Sequence, residues 1–231
     1  MIGEGRSYAQ YCGLAQALDI VGERWTLLLV RDLLLGPRRF RDLVAGLPGI
    51  STDLLTARLR TLEAVGAVER RRLPPPASVT VYELTDFGRS LRPVVAQLSS
   101  WGAELLPPPG SAGYATDPAW AIQSIAGRYQ GGVEPGDYDL AIGDRVYAVH
   151  LTDDGATVSD GPSASPAATV TSSVRTFLMY IGGFITLAEA KRADLRIEGD
   201  RRGGQAVLRR LVRSRGRKVG SVARGAVEPA Q

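Results

Sequence analysis

The sequence predicts an α+β chain in two parts: a mainly helical first part with one hairpin, residues 1–106, and an α+β second part, 116–231. Three observations carry this. Apolar residues recur at helical spacing through the first hundred positions, as in Leu14, Ala17, Leu18, Val21 and again in Leu55, Leu59, Leu62. Short strand-like runs then appear: YDLAI (138–142), VYAVHL (146–151), ATVS (156–159) and ATVT (168–171). Between the two regions PPPGSAGYA (107–115) crowds Pro, Gly and Ser into a linker.

In chain order, a short polar arm leads to a first helix over 13–22. Residues 25–35 are apolar apart from Arg31 and Asp32, which predicts a helix buried nearly all round, with Trp25 as packing. RFRDLVAG (39–46) reads as a short helix and LPGI (47–50) as a turn. Ser51 is a good N-cap for the next helix, with Ile50 and Leu55 spaced as a hydrophobic staple. Gly66 ends that helix. AVERRRL (67–73) and VTVYEL (79–84) make two strands joined by PPPAS (74–78). Thr85 caps a final helix from Asp86 to about Leu106, in which Pro93 predicts a kink or a break.

A helix, a turn, a helix and a basic two-stranded wing make up a winged helix-turn-helix, which reads DNA. The face of the second helix opposite its leucines carries Thr52, Asp53, Thr56, Ala57, Arg58, Arg60 and Thr61. The N-terminal part of such a helix meets base edges, and Arg and Thr donate to bases or phosphates. Candidate DNA-binding residues are therefore Arg39, Ser51, Thr52, Asp53, Thr56, Arg58, Arg60 and the wing arginines Arg70, Arg71 and Arg72.

These motifs are dense enough to name a resemblance. The Cys12 start, G-x-R-W-T (22–26), G-P-R-R-F (36–40), L-P-G-I-S (47–51), L-x-x-R-L-x-x-L (55–62) and Y-x-L-T-x-x-G (82–88) resemble the HxlR-type family of bacterial winged-helix regulators. The resemblance spans roughly 12–105. It implies a homodimeric transcription factor on an inverted-repeat DNA operator, with the first and post-wing helices in the dimer interface. It also implies a choice for Cys12: a redox sensor, as in some relatives, or a small half-buried residue. The wing departs from the family pattern, because its tip is proline-rich and its arginines precede the turn.

In the second part, Asp117-Pro118 starts a helix through WAIQSIAGRY. Turn signals at Gly143-Asp144 and Asp154-Gly155 join the strand-like runs into an antiparallel sheet. SVRTFLMYIGGF (173–184) is a short helix, and Thr186 with Glu189 makes a capping box for LAEAKR. DLRIEGD (194–200) is a further strand and GGQAVLRRLV (203–212) the last helix. YDLAIGDRVYAVHL, ATVTSSVRTFLMYIGG and DLRIEGD…LRRLV resemble the sterol carrier lipid-binding family. That resemblance implies helices over one face of the sheet and an apolar cavity between them. Its candidate lining is Trp120, Phe177, Leu178, Ile181, Phe184, Ile185 and Leu187, which alternatively fill a core. The second domain is then either the seat of an apolar small-molecule effector or a structural or protein-interaction module.

Composition excludes other classes. One cysteine leaves no disulfide framework, and one histidine leaves little for zinc. No apolar run approaches eighteen residues, so no membrane partner is expected, and the N-terminus lacks an apolar signal core, which predicts a cytoplasmic protein. His150 has no Ser or Cys partner at recognisable spacing. GDRRGGQ (199–205) lacks the lysine-hydroxyl pair of a phosphate loop. Neither an enzyme nor a cofactor is expected. The net charge of +4 hides 6 basic against 12 acidic residues over 111–200 and 9 basic residues over 201–225. The Arg-rich end either adds phosphate contacts or balances the acidic sheet.

Overall fold

The computed structural model describes residues 7–111, 114–126, 129 and 131–212. From residue 213 onward the Arg-rich end lies outside the described residues.

The first domain opens with α1 (Gly13–Val21), which buries Ala15 and Val21 and leaves Leu14 and Leu18 exposed. α2 (Thr26–Leu33) buries Leu29, Val30 and Leu33. It is not buried all round, because Leu28 stays exposed and Arg31 half-buried. α3 (Phe40–Gly46) and α4 (Thr52–Ala64) complete the helix-turn-helix. Ser51 Oγ accepts from Leu54 N–H at 3.2 Å, capping α4. Leu55, Leu59 and Leu62 sit in one core with Leu29, Val30 and Leu43, each contributing about 1.5–3 kcal/mol by burial.

β1 (Val68–Arg72) and β2 (Thr80–Leu84) pair antiparallel, with Arg70 opposite Tyr82. Arg38 adds a bridge to Tyr82, donating at 2.9 Å and accepting at 2.8 Å. Thr85 ties the wing to the post-wing helix: its hydroxyl donates to Gly66 O at 2.6 Å and accepts from Gly88 N–H at 3.2 Å. Gly88 has to be glycine, because a Cβ there would run into the Ala67 carbonyl. The expected single post-wing helix is two helices, α5 (Asp86–Arg89) and α6 (Arg92–Ala103). Pro93 falls in the first turn of α6, where its missing N–H has no intrahelical partner to lose.

The second domain runs α7 (Pro118–Ala126), β3 (Gly136–Ile142), β4 (Arg145–Leu151), β5 (Ala156–Asp160), β6 (Ala168–Ser172), α8 (Val174–Ile181), α9 (Leu187–Ala193), β7 (Arg196–Gly199) and α10 (Arg201–Leu211). The strand order is β5-β4-β3-β6-β7. The expected antiparallel sheet is corrected here: β6 lies parallel to β3, with Leu140 opposite Val170, so the sheet is mixed. The reason is the segment 161–167. It carries the chain back along the polar face, where Asp139 Oδ1 accepts from Ser163 N–H and Oγ at 3.0 and 2.8 Å.

Strand alternation separates the faces. Tyr138, Leu140, Ile142, Tyr147, Val149, Val158 and Val170 enter the second core with Phe177 of α8 and Leu208 of α10. His150, Thr157, Thr171 and Glu198 face the other way, exposed. Gly203 and Gly204 serve packing: a Cβ on Gly204 would come within 2.7 Å of Ile197, and one on Gly203 within 2.8 Å of the Tyr138 hydroxyl. Asp194 pins the β6–α8 step by accepting from Ser172 Oγ, Ser173 N–H and Thr176 Oγ1.

The domains pack on each other. Leu35, just after α2, is buried in the second core, and its carbonyl accepts from Asp160 N–H at 3.2 Å. Arg38 Nη1 meets Asp160 Oδ2 at 2.7 Å, and Arg31 lies over the Trp120 ring at 4.4 Å.

Candidate nucleic-acid interface and the cavity behind it

Periodicity fixes what α4 shows to solvent. With Leu55, Leu59 and Leu62 inward, Thr52, Asp53, Ala57 and Arg60 are exposed. Thr56 is half-buried, its hydroxyl donating to Thr52 O at 2.8 Å. Arg58 turns to the flank instead. It reaches Glu23 at 3.0 Å and the Arg24 carbonyl at 3.3 Å, so it braces α4 against the α1–α2 connection. Arg60 is the arginine of this helix on the open face. Arg39 stands just before α3, its N–H donating to Asp42 Oδ2 at 3.3 Å.

The wing arginines divide. Arg70 pairs with Glu63 of α4 at 2.8 Å and lies over Tyr82. Arg71 pairs with Glu83 across the strands; the Arg71 hydrogen bond holds the Glu83 carboxyl below the usual carboxylate range. Arg72, nearest the turn, is exposed and has no ion pair among the described residues.

A second exposed surface runs along the same domain. Val94, Leu98, Trp101 and Leu105 recur at helical spacing along and just past α6, and Trp101 is 69% exposed. Leu14, Leu18 and Tyr11 add exposed apolar surface on and before α1. Cys12 is exposed, not half-buried. Backbone N–H groups of Ala15 and then Leu14, at the start of α1, hold its thiol below the ordinary value.

The cavity expected between the helices and sheet of the second domain is corrected. That space is packed: Phe177 is fully buried, and Ile185 and Leu187 pack against the same core. A cavity of about 470 Å³ opens instead on the outer side of α7 and α8, where they meet α2, α6 and the proline-rich segment. Of the predicted lining, Trp120, Leu178, Ile181 and Phe184 reach it; Phe177, Ile185 and Leu187 do not. The sequence reading missed Leu28, Arg31, Gly102 and Ala103 on its other wall. The one available signal was the charged Arg31-Asp32 step in an otherwise apolar helix.

Among the described residues no group of three or more His, Cys, Asp or Glu is placed to hold a metal, and no helix is long and apolar enough to cross a membrane. His150 Nδ1 lies 2.7 Å from Asp137 on the exposed sheet face, away from the cavity lining.

A capped, solvent-facing second helix beside a basic hairpin defines a winged helix-turn-helix DNA-binding transcriptional regulator. The family of such regulators is given by comparison with known proteins: a model of the HxlR-like helix-turn-helix family matches residues 20–109. The HTH-type transcriptional regulator YvaP of Bacillus subtilis is 39% identical over 93 residues, covering 40% of this chain and 86% of YvaP. The chain belongs to that family. An HTH-type regulator of Mycobacterium bovis is 42% identical over 96 residues, covering 42% of this chain and 60% of the relative's length. A solved structure described as the redox regulator HypR in its reduced form is 35% identical, covers 39% of this chain and 90% of its own, and superposes with a TM-score of 0.37.

Proposed function

We propose that the protein acts as a homodimer on an inverted-repeat operator and that an apolar small molecule controls it. The observation that carries the DNA reading is the open face of α4, with Arg60 exposed beside Thr52 and Asp53 and an exposed Arg72 on the wing. In this reading α4 enters the major groove and Arg39 and the wing arginines hold phosphate. The apolar stripe of α6 with Leu14 and Leu18 of α1 supports dimerisation, because such a surface is costly to leave in water. The helix-covered sheet supports a sterol-carrier-like second domain.

Mobility shift on the DNA upstream of the gene tests this. Arg60→Ala should weaken specific binding by roughly 1–3 kcal/mol if Arg60 reads a base. Binding equal to wild type would remove the assigned face. A second reading rests on Cys12: an exposed thiol with its proton loosened by the α1 amides suits an oxidant sensor. Oxidant-treated Cys12→Ser that releases DNA as wild type does would end that reading.

A further inference from the structure

The cavity at the domain seam has the build of a ligand site. Its volume falls in the range of small-molecule pockets, about 300–1,000 Å³. One wall is Leu28 and Arg31 of α2 with Gly102 of α6; the facing wall is Trp120 of α7 with Leu178 and Ile181 of α8. Flat and aliphatic surfaces dominate, which suits a multi-ring apolar body.

Its charges are arranged unevenly. The Asp117 carboxylate on the rim is engaged by Arg145 at 3.2 Å. Arg31 is half-buried, with Nε held by Asp32 at 2.9 Å and its plane on the Trp120 ring. Asp32 and Trp120 fix the guanidinium in place, while its two terminal nitrogens bond no described residue. A planar fork of N–H donors fixed this way beside apolar walls calls for an oxygen acceptor, neutral or anionic.

We propose that this seam is the effector site and that it takes a flat, multi-ring apolar molecule with one oxygen acceptor directed at Arg31. The proposal rests on the effector-controlled reading of the function, and it moves the site out of the second domain. Because each wall belongs to a different domain, an occupant has different affinity for different domain arrangements, which is the requirement for control. α6 carries the message directly: Gly102 and Ala103 line the cavity, while Leu98 and Trp101 of the same helix lie on the exposed stripe.

The test uses the full chain and two dyes of the same ring system: anilinonaphthalene sulfonate, which carries an anionic acceptor, and phenylnaphthylamine, which lacks it. Both should bind saturably, one per chain, by fluorescence titration. Gly102→Leu should weaken both by at least about tenfold by filling the cavity, since a Cβ there meets no atom within 4 Å and the helix tolerates leucine. Ala121→Leu fills from the facing wall and should act likewise. Arg31→Met should weaken the sulfonate by about tenfold, the worth of a charge-assisted hydrogen bond, and leave the amine within about twofold. Unchanged binding of both dyes in the two filled variants, each melting like wild type, would overturn the site. Equal loss of both dyes in Arg31→Met would overturn the acceptor. Operator affinity with and without the sulfonate is read separately. A shift seen in wild type and absent in Gly102→Leu supports control through the seam. Dye binding with no shift overturns control and leaves the DNA reading intact.

Discussion

The two domains bury apolar faces by different routes. In the first, each helix marks its own buried face and its own start: Leu55, Leu59 and Leu62 follow one helix, and Ser51 and Thr85 accept from N–H groups three residues on, although the core they serve also draws in Leu29 and Val95 from other helices. In the second, the core depends on distant pairing: β6 joins β3 across about thirty residues, and Leu35 arrives from the other domain altogether. Stability and coupling therefore reside in different places. Local chemistry shapes the DNA-reading face, whereas long-range packing holds that face in a defined relation to the rest.

Leu35 is the residue by which the first domain enters the second core. It is 5% exposed and sits in the second core although the first domain carries it. Leu35→Ala should cost about 2–5 kcal/mol, as for other buried leucines. Amide hydrogen exchange locates the loss, and the expected result is reduced protection in β3 and β4. Normal protection there, with loss confined to α2, would mean the domains are energetically separate.

The same contrast explains what the sequence made legible. The helices and hairpin of the winged helix-turn-helix were legible in outline, because the caps at Ser51 and Thr85 act over a few positions. The β3–β4 and β4–β5 turns were equally visible at Gly143-Asp144 and Asp154-Gly155. The parallel β3–β6 pair was not, since segment 161–167 carries no periodic signal and its crossing is fixed by Asp139, twenty-four residues from Ser163. Composition could not separate Phe177, which fills the core, from Phe184, which lines the cavity. Arg58 shows the same limit within one helix: it lies close in sequence to Arg60, but Glu23 draws it to the flank.

A smaller effect sharpens the local side. Ser51→Ala removes the acceptor for Leu54 N–H and should cost about 1 kcal/mol, within the usual range for an N-cap. Urea unfolding measures it. Ser51→Asp should restore stability, since a carboxylate also suits a helix N-terminus. If Asp fails to restore it, the hydroxyl is needed for something other than capping.

The smallest effect probes the seam itself. Asp160 joins the domains through Arg38 at 2.7 Å and Arg145 at 3.2 Å, and Arg145 continues to Asp117 on the cavity rim. Burial alone would raise the Asp160 carboxyl, but the bond from Arg38, with Arg145 behind it, outweighs burial and holds it below the ordinary aspartate value. A depressed folded value contributes stability that is fully present above the unfolded value of about 3.9 and is lost as pH falls through the folded one. Since a third of the side chain is exposed, the contribution is roughly 0.5–1 kcal/mol. Asp160→Asn should therefore be less stable than wild type at neutral pH, and the gap should close as pH drops below about 4. Urea unfolding of both proteins across that window measures it. Because Arg38 also bridges the backbone of Tyr82 in the wing, the same variant should loosen the path from cavity to wing. A gap that stays constant into acid would mean that packing around Leu35, not the Arg38–Asp160 pair, fixes the domains against each other.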